Sequence, residues 1–289
     1  NVFKTDYLFS PPMGGGPSAI WDANGFGVAP TDWPTEGSFF GMVNLAVTHE
    51  SGVFRPLGSW PHGSTHLAVQ LFRAWKCGLP AGDDPTAPVA VPVPPYYPDT
   101  PTVRADLARH YDNVRQMDAR VGEILARLRR DGLADSTVVV WTTDHGDGLP
   151  RAKRELYDSG LHVPLILRFP EAWRPPGLAP GSSDDRLVSF VDLGPQVLAW
   201  MGVAVPPNMH GLPFAHPDAA RRELVFGQRD RIDEVVDRQR SVRDERFLYI
   251  RSWHPEVAGG HRLDFRDNQD GVRALRARWE RGELDAVQR

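Results

Sequence analysis

An α/β fold with a smaller antiparallel piece near its C-terminal end is what this sequence predicts, and three observations predict it. Between residues 136 and 170, two apolar runs (137–141, TVVVW, and 163–169, VPLILRF) flank a polar turn. Each has the length and the β-branched content of one buried strand. Ahead of them, Val103, Leu107, Tyr111, Val114, Met117, Val121, Ile124 and Leu128 recur at spacings of three and four, the apolar stripe of one long helix. Beyond residue 221, the segment 224–228 (LVFGQ) reads as a short strand, and 239–251 reads as a hairpin with Asp244-Glu245 at its turn.

The elements follow in order. Residues 1–37 are rich in Gly, Pro, Trp and Asp and read as surface loop. Met13-Gly14-Gly15-Gly16-Pro17 is no phosphate loop, because no strand precedes it and no Gly-Lys-Ser/Thr follows. Residues 38–47 (SFFGMVNLAV) form the next strand candidate, ending at Thr48-His49-Glu50. Residues 51–100 are irregular. His62 and His66 stand four apart but lack the adjacent Glu and third ligand of a zinc-protease helix, so they read as loop or packing histidines. The proline-dense run 84–101 reads as extended, polyproline-like chain within one domain. Thr100 and Pro101 then open the long helix as N-cap and first helical residue, and Asp131-Gly132 closes it. Asp112 and Asp118 are charges on its surface. Residues 187–191 are a further short strand, and Asp192 caps a helix running through Met201. The last stretch, 271–289, is a charged amphipathic helix.

The totals bound the function. In 289 residues, 41% are hydrophobic, enough for a real core. A net charge of −4 and a pI near 6.2 give no global attraction to nucleic acid. No aromatic interleaving of the RNA-binding type accompanies the basic residues. No apolar run reaches the roughly 18 residues of a membrane span. With a single cysteine, Cys77, there is no intrachain disulfide. The chain starts with Asn1 inside structured-looking sequence and stops after a helix, so it reads as a fragment cut at both ends.

The chemistry concentrates in Thr143-Asp144-His145-Gly146-Asp147, at the carboxyl end of the first strand of the central stretch. That is where ligands bind in open α/β sheets. A carboxylate beside an imidazole on a turn, with Gly next, makes half of a metal site. Lys153 follows, placed to meet an anion near that metal. Then comes Tyr157-Asp158-Ser159-Gly160-Leu161-His162-Val163-Pro164-Leu165. Strand, Asp-(Asn/His)-Gly, Lys and Tyr-(Asp/Glu)-x-Gly-x-x-x-Pro-Leu, in that order and spacing, resemble the C-terminal half of a sulfatase of the alkaline-phosphatase-like superfamily. His49, at the end of a Phe-Phe-containing run, matches the histidine that such enzymes bring to the sulfate. The alternative is a histidine that caps a strand end.

The resemblance implies an α/β/α sandwich, present in part. It divides the chain into a core over residues 1–218, whose first third is missing, and an incomplete C-terminal subdomain over 219–289. It implies hydrolysis of a sulfuric ester or sulfamate on a sulfated sugar. Asp144 and His145 would be metal ligands, with Ca²⁺ favoured by hard oxygen ligands and Mg²⁺, Mn²⁺ or Zn²⁺ as alternatives. Lys153 would hold a sulfate oxygen. His49 would sit at the bridging atom and protonate the leaving group. The family's formylglycine arises from Cys/Ser-x-Pro-x-Arg after a pair of metal-binding aspartates, and its support is a Lys-x-His. None of these is in the chain; Cys77-Gly78-Leu79-Pro80-Ala81 has its Pro misplaced and no Arg. Within the family, Arg151-Ala152-Lys153, residues 187–200, Val225-Phe226-Gly227-Gln228 and Arg240-Ser241-Val242-Arg243 are most similar to N-sulfoglucosamine sulfohydrolase (sulfamidase) and its bacterial relatives. The resemblance also implies an extracytoplasmic location: periplasmic, secreted or lysosomal. Two alternatives stay open. One is a phosphodiesterase or phosphonate hydrolase of the same superfamily. The other is an inactive paralogue that binds sulfated glycans through its dense arginines: Arg221, Arg222, Arg229, Arg231, Arg238, Arg240, Arg243, Arg246 and Arg251. Solvated charges of an edge hairpin account for those arginines equally well.

Overall fold

The computed structural model describes residues 21–23, 32–54, 64, 67–68, 70–72, 86–216, 218–257 and 260–289. The glycine run at 13–17, His62, His66 and Cys77 lie outside the described residues. Beyond residue 100 the helices and strands are, in chain order, α1 (Pro101–Arg130), β1 (Val139–Thr142), α2 (Asp158–Leu161), β2 (Leu165–Arg168), α3 (Leu193–Trp200), β3 (Val225–Ile232), β4 (Val235–Arg243), β5 (Leu248–Ser252) and α4 (Asp270–Glu280). This mixture of helices and antiparallel sheets is of the expected α/β class. The chain forms two compact units, one from Asn1–Ala134 with Asp264–Arg289 and the other from Asp135–Leu263. Among the described residues, no helix is long and apolar enough to cross a membrane.

The first unit is built on α1. Thr100 Oγ1 accepts the Val103 amide at 3.2 Å and Pro101 occupies the first turn, satisfying one of the orphan donors of the helix start. At the other end the Asp131 amide donates to Arg127 O, and Gly132 takes φ 72°, the left-handed stop that glycine adopts without steric cost. Asp131 is held there by Arg127 at 2.8 Å and by the indole of Trp33 at 3.0 Å. The helix packs on α4 and on the short turns Ala46–Thr48, Glu50–Val53 and Pro88–Ala90. Val103, Leu107 and Leu128 of the expected stripe are buried, together with Val47, Val53, Phe54, Val91 and Val272. Tyr111 and Val114 of the same stripe are exposed. The proline-dense run is drawn onto the helix by Arg104, which donates to Pro88 O, Val89 O and Val91 O at 3.1–3.3 Å.

Two polar residues of α1 that periodicity would leave at the surface, Asp106 and Asn113, are buried. Asp106 receives the Gly271 amide at 2.7 Å and the Arg109 guanidinium. It thereby fixes the start of α4, where a carboxylate also meets the positive end of the helix dipole. Burial pushes its pKa up to about 6, against the pull of Arg109 and the Gly271 amide.

One expectation in this unit is corrected. Residues 38–47 are not a strand: they show a single bridge residue at Val43 and then the turn Ala46–Thr48. A strand exists only when its amides and carbonyls are paired, and no described strand lies alongside this run.

In the second unit β1 pairs antiparallel with β2, Trp141 facing Ile166 and Thr142 facing Leu165. A three-stranded antiparallel sheet, β3-β4-β5, follows. Phe226 lies opposite Val242, and Val242 opposite Tyr249. The β4–β5 turn closes through Asp244 Oδ1, which accepts the Arg246 and Phe247 amides, so the hairpin forms where its sequence pattern placed it.

Residues 187–191 are the second correction. Leu187 makes one isolated bridge with Arg222, and Phe190–Asp192 is a tight turn. Asp192 causes this by taking the Ser189 amide at 2.9 Å while its own amide donates to Ser189 O at 2.8 Å. The expected capping of α3 by Asp192 is corrected too: it stands at the N-cap position without a side-chain bond to that helix. Its carboxylate instead binds the Leu212 amide and the forked guanidinium of Arg222.

Candidate functional site

The loop from Thr143 to Gly160 leaves β1 and returns through α2 to β2. Thr143 Oγ1 donates to His145 O at 2.9 Å, folding the turn back on itself. The turn and the returning chain then close on each other through two glycines. The Gly146 amide donates to Gly160 O at 3.0 Å. A Cβ on Gly146 would sit 1.8 Å from Ser159 O, and one on Gly160 would sit 2.3 Å from Glu155 O and 2.4 Å from Ala152 O. Only glycine fits either place. The glycines of the two motifs thus have one job: they let two backbones touch.

On that seam Asp144 and His145 stand side by side. The Asp144 side chain is 64% exposed, and its Oδ1 lies 3.6 Å from His145 Nε2, too far for a hydrogen bond. His145 Nδ1 is 2.7 Å from Gly146 O. A carbonyl oxygen only accepts, so Nδ1 carries the proton, and in the neutral ring Nε2 keeps its lone pair on the side of Asp144. That is the arrangement of a ligating histidine, whose second nitrogen is held by a backbone carbonyl. The two residues therefore fit one side of a divalent-cation site. Among the described residues no group of three or more His, Cys, Asp or Glu side chains is gathered that could hold a metal.

Lys153 rides on the same loop, with its amide donating to Asp147 O at 2.9 Å. The backbone around it is unusual. Arg151 and Arg154 have φ of 65° and 75°, the left-handed region that costs a non-glycine residue about 1 kcal/mol or more. Each of these two residues has its carbonyl captured by a side chain: Ser159 Oγ donates to Arg151 O at 2.5 Å, and Arg229 donates to Arg154 O at 2.8 Å. The Arg151 guanidinium also lies 4.8 Å from the centre of the Tyr157 ring.

Beneath the loop is a buried polar cluster that sequence reasoning missed. Arg229, on β3, donates to Glu155 at 2.6 Å and to Asp237, on β4, at 2.5 Å. His261 Nε2 lies 2.9 Å from the same Asp237 oxygen. All four side chains are at most 10% exposed. Strand alternation was the available signal: Val225, Gly227 and Arg229 share a face. Gly227 lies under the loop, where an added Cβ would meet Leu161 at 3.2 Å and Leu156 at 3.4 Å. Of the arginines that could have formed a cationic face, Arg229 is thus spent internally. Arg222 is tied to Asp192, Arg243 to Asp158 at 2.5 Å and Arg240 to Asp230 at 2.8 Å.

His49 belongs to the first unit. It is exposed and precedes the turn Glu50–Val53, where its Nδ1 accepts the Ser51 amide at 3.3 Å and lies 2.9 Å from Ser51 Oγ. Its ring meets Phe265 edge-on, centroids 6.0 Å apart. With Nδ1 accepting an amide, the neutral ring carries its proton on Nε2. Asp144, His145 and Lys153 are brought together on one loop of the second unit.

Comparison with known proteins gives these residues a context. The family model described as Sulfatase matches residues 64–203. An ulvan-active sulfatase of Formosa agariphila is 33% identical across all of this chain, which covers 49% of that protein. The N-sulphoglucosamine sulphohydrolase of Homo sapiens is 37% identical over 41% of the chain and 23% of its own length. The chain thus spans about half or less of the curated relatives it matches. Among solved structures, a phosphonate monoester hydrolase from Silicibacter pomeroyi superposes with a TM-score of 0.40 at 20% identity, over 64% of this chain and 42% of that one.

Proposed function

This chain belongs to the sulfatase family, and on that premise we propose that it has the alkaline-phosphatase-like α/β fold and forms part of an enzyme hydrolysing sulfuric esters or sulfamates on a sulfated carbohydrate. The observation that carries the reading is the loop 143–160, in which a carboxylate, a metal-competent imidazole and a lysine share one stapled turn. The names of the relatives, one active on ulvan and one on N-sulphoglucosamine, support a sulfated sugar as substrate; an extracytoplasmic place of work is part of the same proposal.

Asp144 and His145 would hold a divalent cation, Ca²⁺ by preference for a hard carboxylate oxygen, with Mg²⁺, Mn²⁺ or Zn²⁺ as alternatives. The cation, when bound, draws charge from the non-bridging sulfate oxygens. Lys153 adds a point charge to one of those oxygens, and its ammonium has three donors to orient the group. His49, with its proton on Nε2, donates it to the leaving oxygen or nitrogen as the bond to sulfur breaks. The nucleophile, a formylglycine in this reading, comes from outside these residues. The division into a core over 1–218 and a C-terminal subdomain over 219–289 is part of the same proposal.

The test is Asp144→Ala in the full-length natural polypeptide. Bound metal, measured by elemental analysis, should fall well below stoichiometry. Turnover of N-sulfoglucosamine and of 4-nitrophenyl sulfate should fall by at least about 10³-fold. Retained metal together with retained turnover overturns the assignment.

A further inference from the structure

We propose that Arg229 and Ser159 are positioning residues for Lys153: together they clamp a strained loop so that the ammonium is held in one place. The inference rests on the reading of Lys153 as a sulfate-binding residue, but its structural core stands apart from it. The lysine lies between two left-handed arginines, Arg151 and Arg154. A backbone bent this way relaxes unless the surroundings over-determine it. Here each bend has its own latch, Ser159 on the carbonyl of Arg151 and Arg229 on the carbonyl of Arg154.

Arg229 is in turn immobilised from behind. Its guanidinium is shared between Glu155, the residue after Arg154, and Asp237, which His261 also contacts. The planar fork of Arg spans these partners, and a lysine ammonium cannot. Arg154 is tethered again at its side chain, by Asp233 at 2.8 Å. The cluster is not arranged for stability alone. Asp237 Oδ1 is buried with no hydrogen-bond partner while Oδ2 takes both Arg229 and His261. A buried ionic cluster with an unmet acceptor is poorer in stability than an apolar core of the same shape. Its service is geometric, because it fixes the height and direction of the loop above the sheet.

The same loop offers its own reporter, since Arg151, Lys153 and Arg154 are all trypsin sites. In the full-length natural polypeptide, Arg229→Lys should accelerate cleavage after residues 151, 153 and 154 by roughly 10-fold or more over cleavage elsewhere, read by mass spectrometry. With 4-nitrophenyl sulfate, kcat should fall on the order of 10²-fold, more than KM rises, because a displaced charge costs the transition state most. Ser159→Ala, at an exposed position, keeps the test valid if Arg229→Lys folds poorly. It should raise the same local cleavage several-fold with an unchanged melting temperature, and Ser159→Thr should restore the parental rate. Parental cleavage rates at the loop in both variants overturn the proposal. Faster cleavage in a protein whose parent turns over no sulfate substrate upholds the clamp and overturns only the sulfatase reading.

Discussion

Asp106 in the first unit and Asp192 in the second are both withdrawn from water, 2% and 1% exposed, yet they hold their protons in opposite ways. Burial is the largest influence on each, and on each it pushes the pKa up. At Asp106 it wins, with Arg109, the Gly271 amide and the Gln269 side chain set against it, and the pKa rises to about 6. At Asp192 it loses. The fork of Arg222 and the amides of Ser189 and Leu212 cover both oxygens, and the pKa is held below its usual value. What separates them is the balance between desolvation and the donors on the charged form, and burial weighs more heavily at Asp106. Asp144 is a third case, a carboxylate left exposed and set beside an imidazole. The two buried carboxylates build the fold; the exposed one is the metal ligand proposed above.

The largest test of this comparison is Arg222→Ala. It strands a buried charge, and the unfolding free energy in urea should fall by about 3 kcal/mol at pH 7. A loss under about 1 kcal/mol would mean that the two amides alone suffice. A smaller effect separates the carboxylates by pH. Between the ordinary value of 3.8 and about 6, folded Asp106 binds more proton than unfolded Asp106. Its contribution to stability therefore falls as pH rises through that window and is flat above it. The stability of the parent relative to Asp106→Asn should decline from pH 4 to pH 6 by on the order of 1–3 kcal/mol. Asp192 runs the other way: its contribution is present above its unfolded pKa and is lost as pH falls through the depressed folded value. A difference that rises between pH 4 and 6 would refute the account of Asp106. The smallest effect is expected at the exposed carboxylate. Asp144→Asn should change unfolding stability by less than about 0.5 kcal/mol, and a clearly larger loss in thermal or urea unfolding would make it structural as well.

Much of the fold was legible because its signals are local. Thr100-Pro101 and Asp131-Gly132 bracket α1 through capping contacts within a turn of chain, and Asp244 closes its hairpin through amides two and three residues on. The runs at 38–47 and 187–191 misled for the converse reason. A strand needs a partner supplied from elsewhere, and composition carries no record of whether one arrives. The same holds at the site. Asp144, His145 and Lys153 stand within one short motif and could be read together, and the structure keeps them on one loop. Arg229 could not be read with them, because Glu155 lies 74 positions away along the chain. An arginine among many arginines looks like surface until its partners are known.

The hydrogen bond from Gly146 to Gly160 makes residues 147–159 a closed excursion whose two ends are pinned together. Insertion or deletion inside such a ring leaves the turn that carries Asp144 and His145 where it is. Closing a ring longer by a residue or two costs only a few tenths of a kcal/mol. The turn with Asp144 and His145 can therefore keep its fold when the excursion that carries Lys153 is altered. A change of length there would still release the latches on Arg151 O and Arg154 O, so the lysine would lose its place while the turn kept its own.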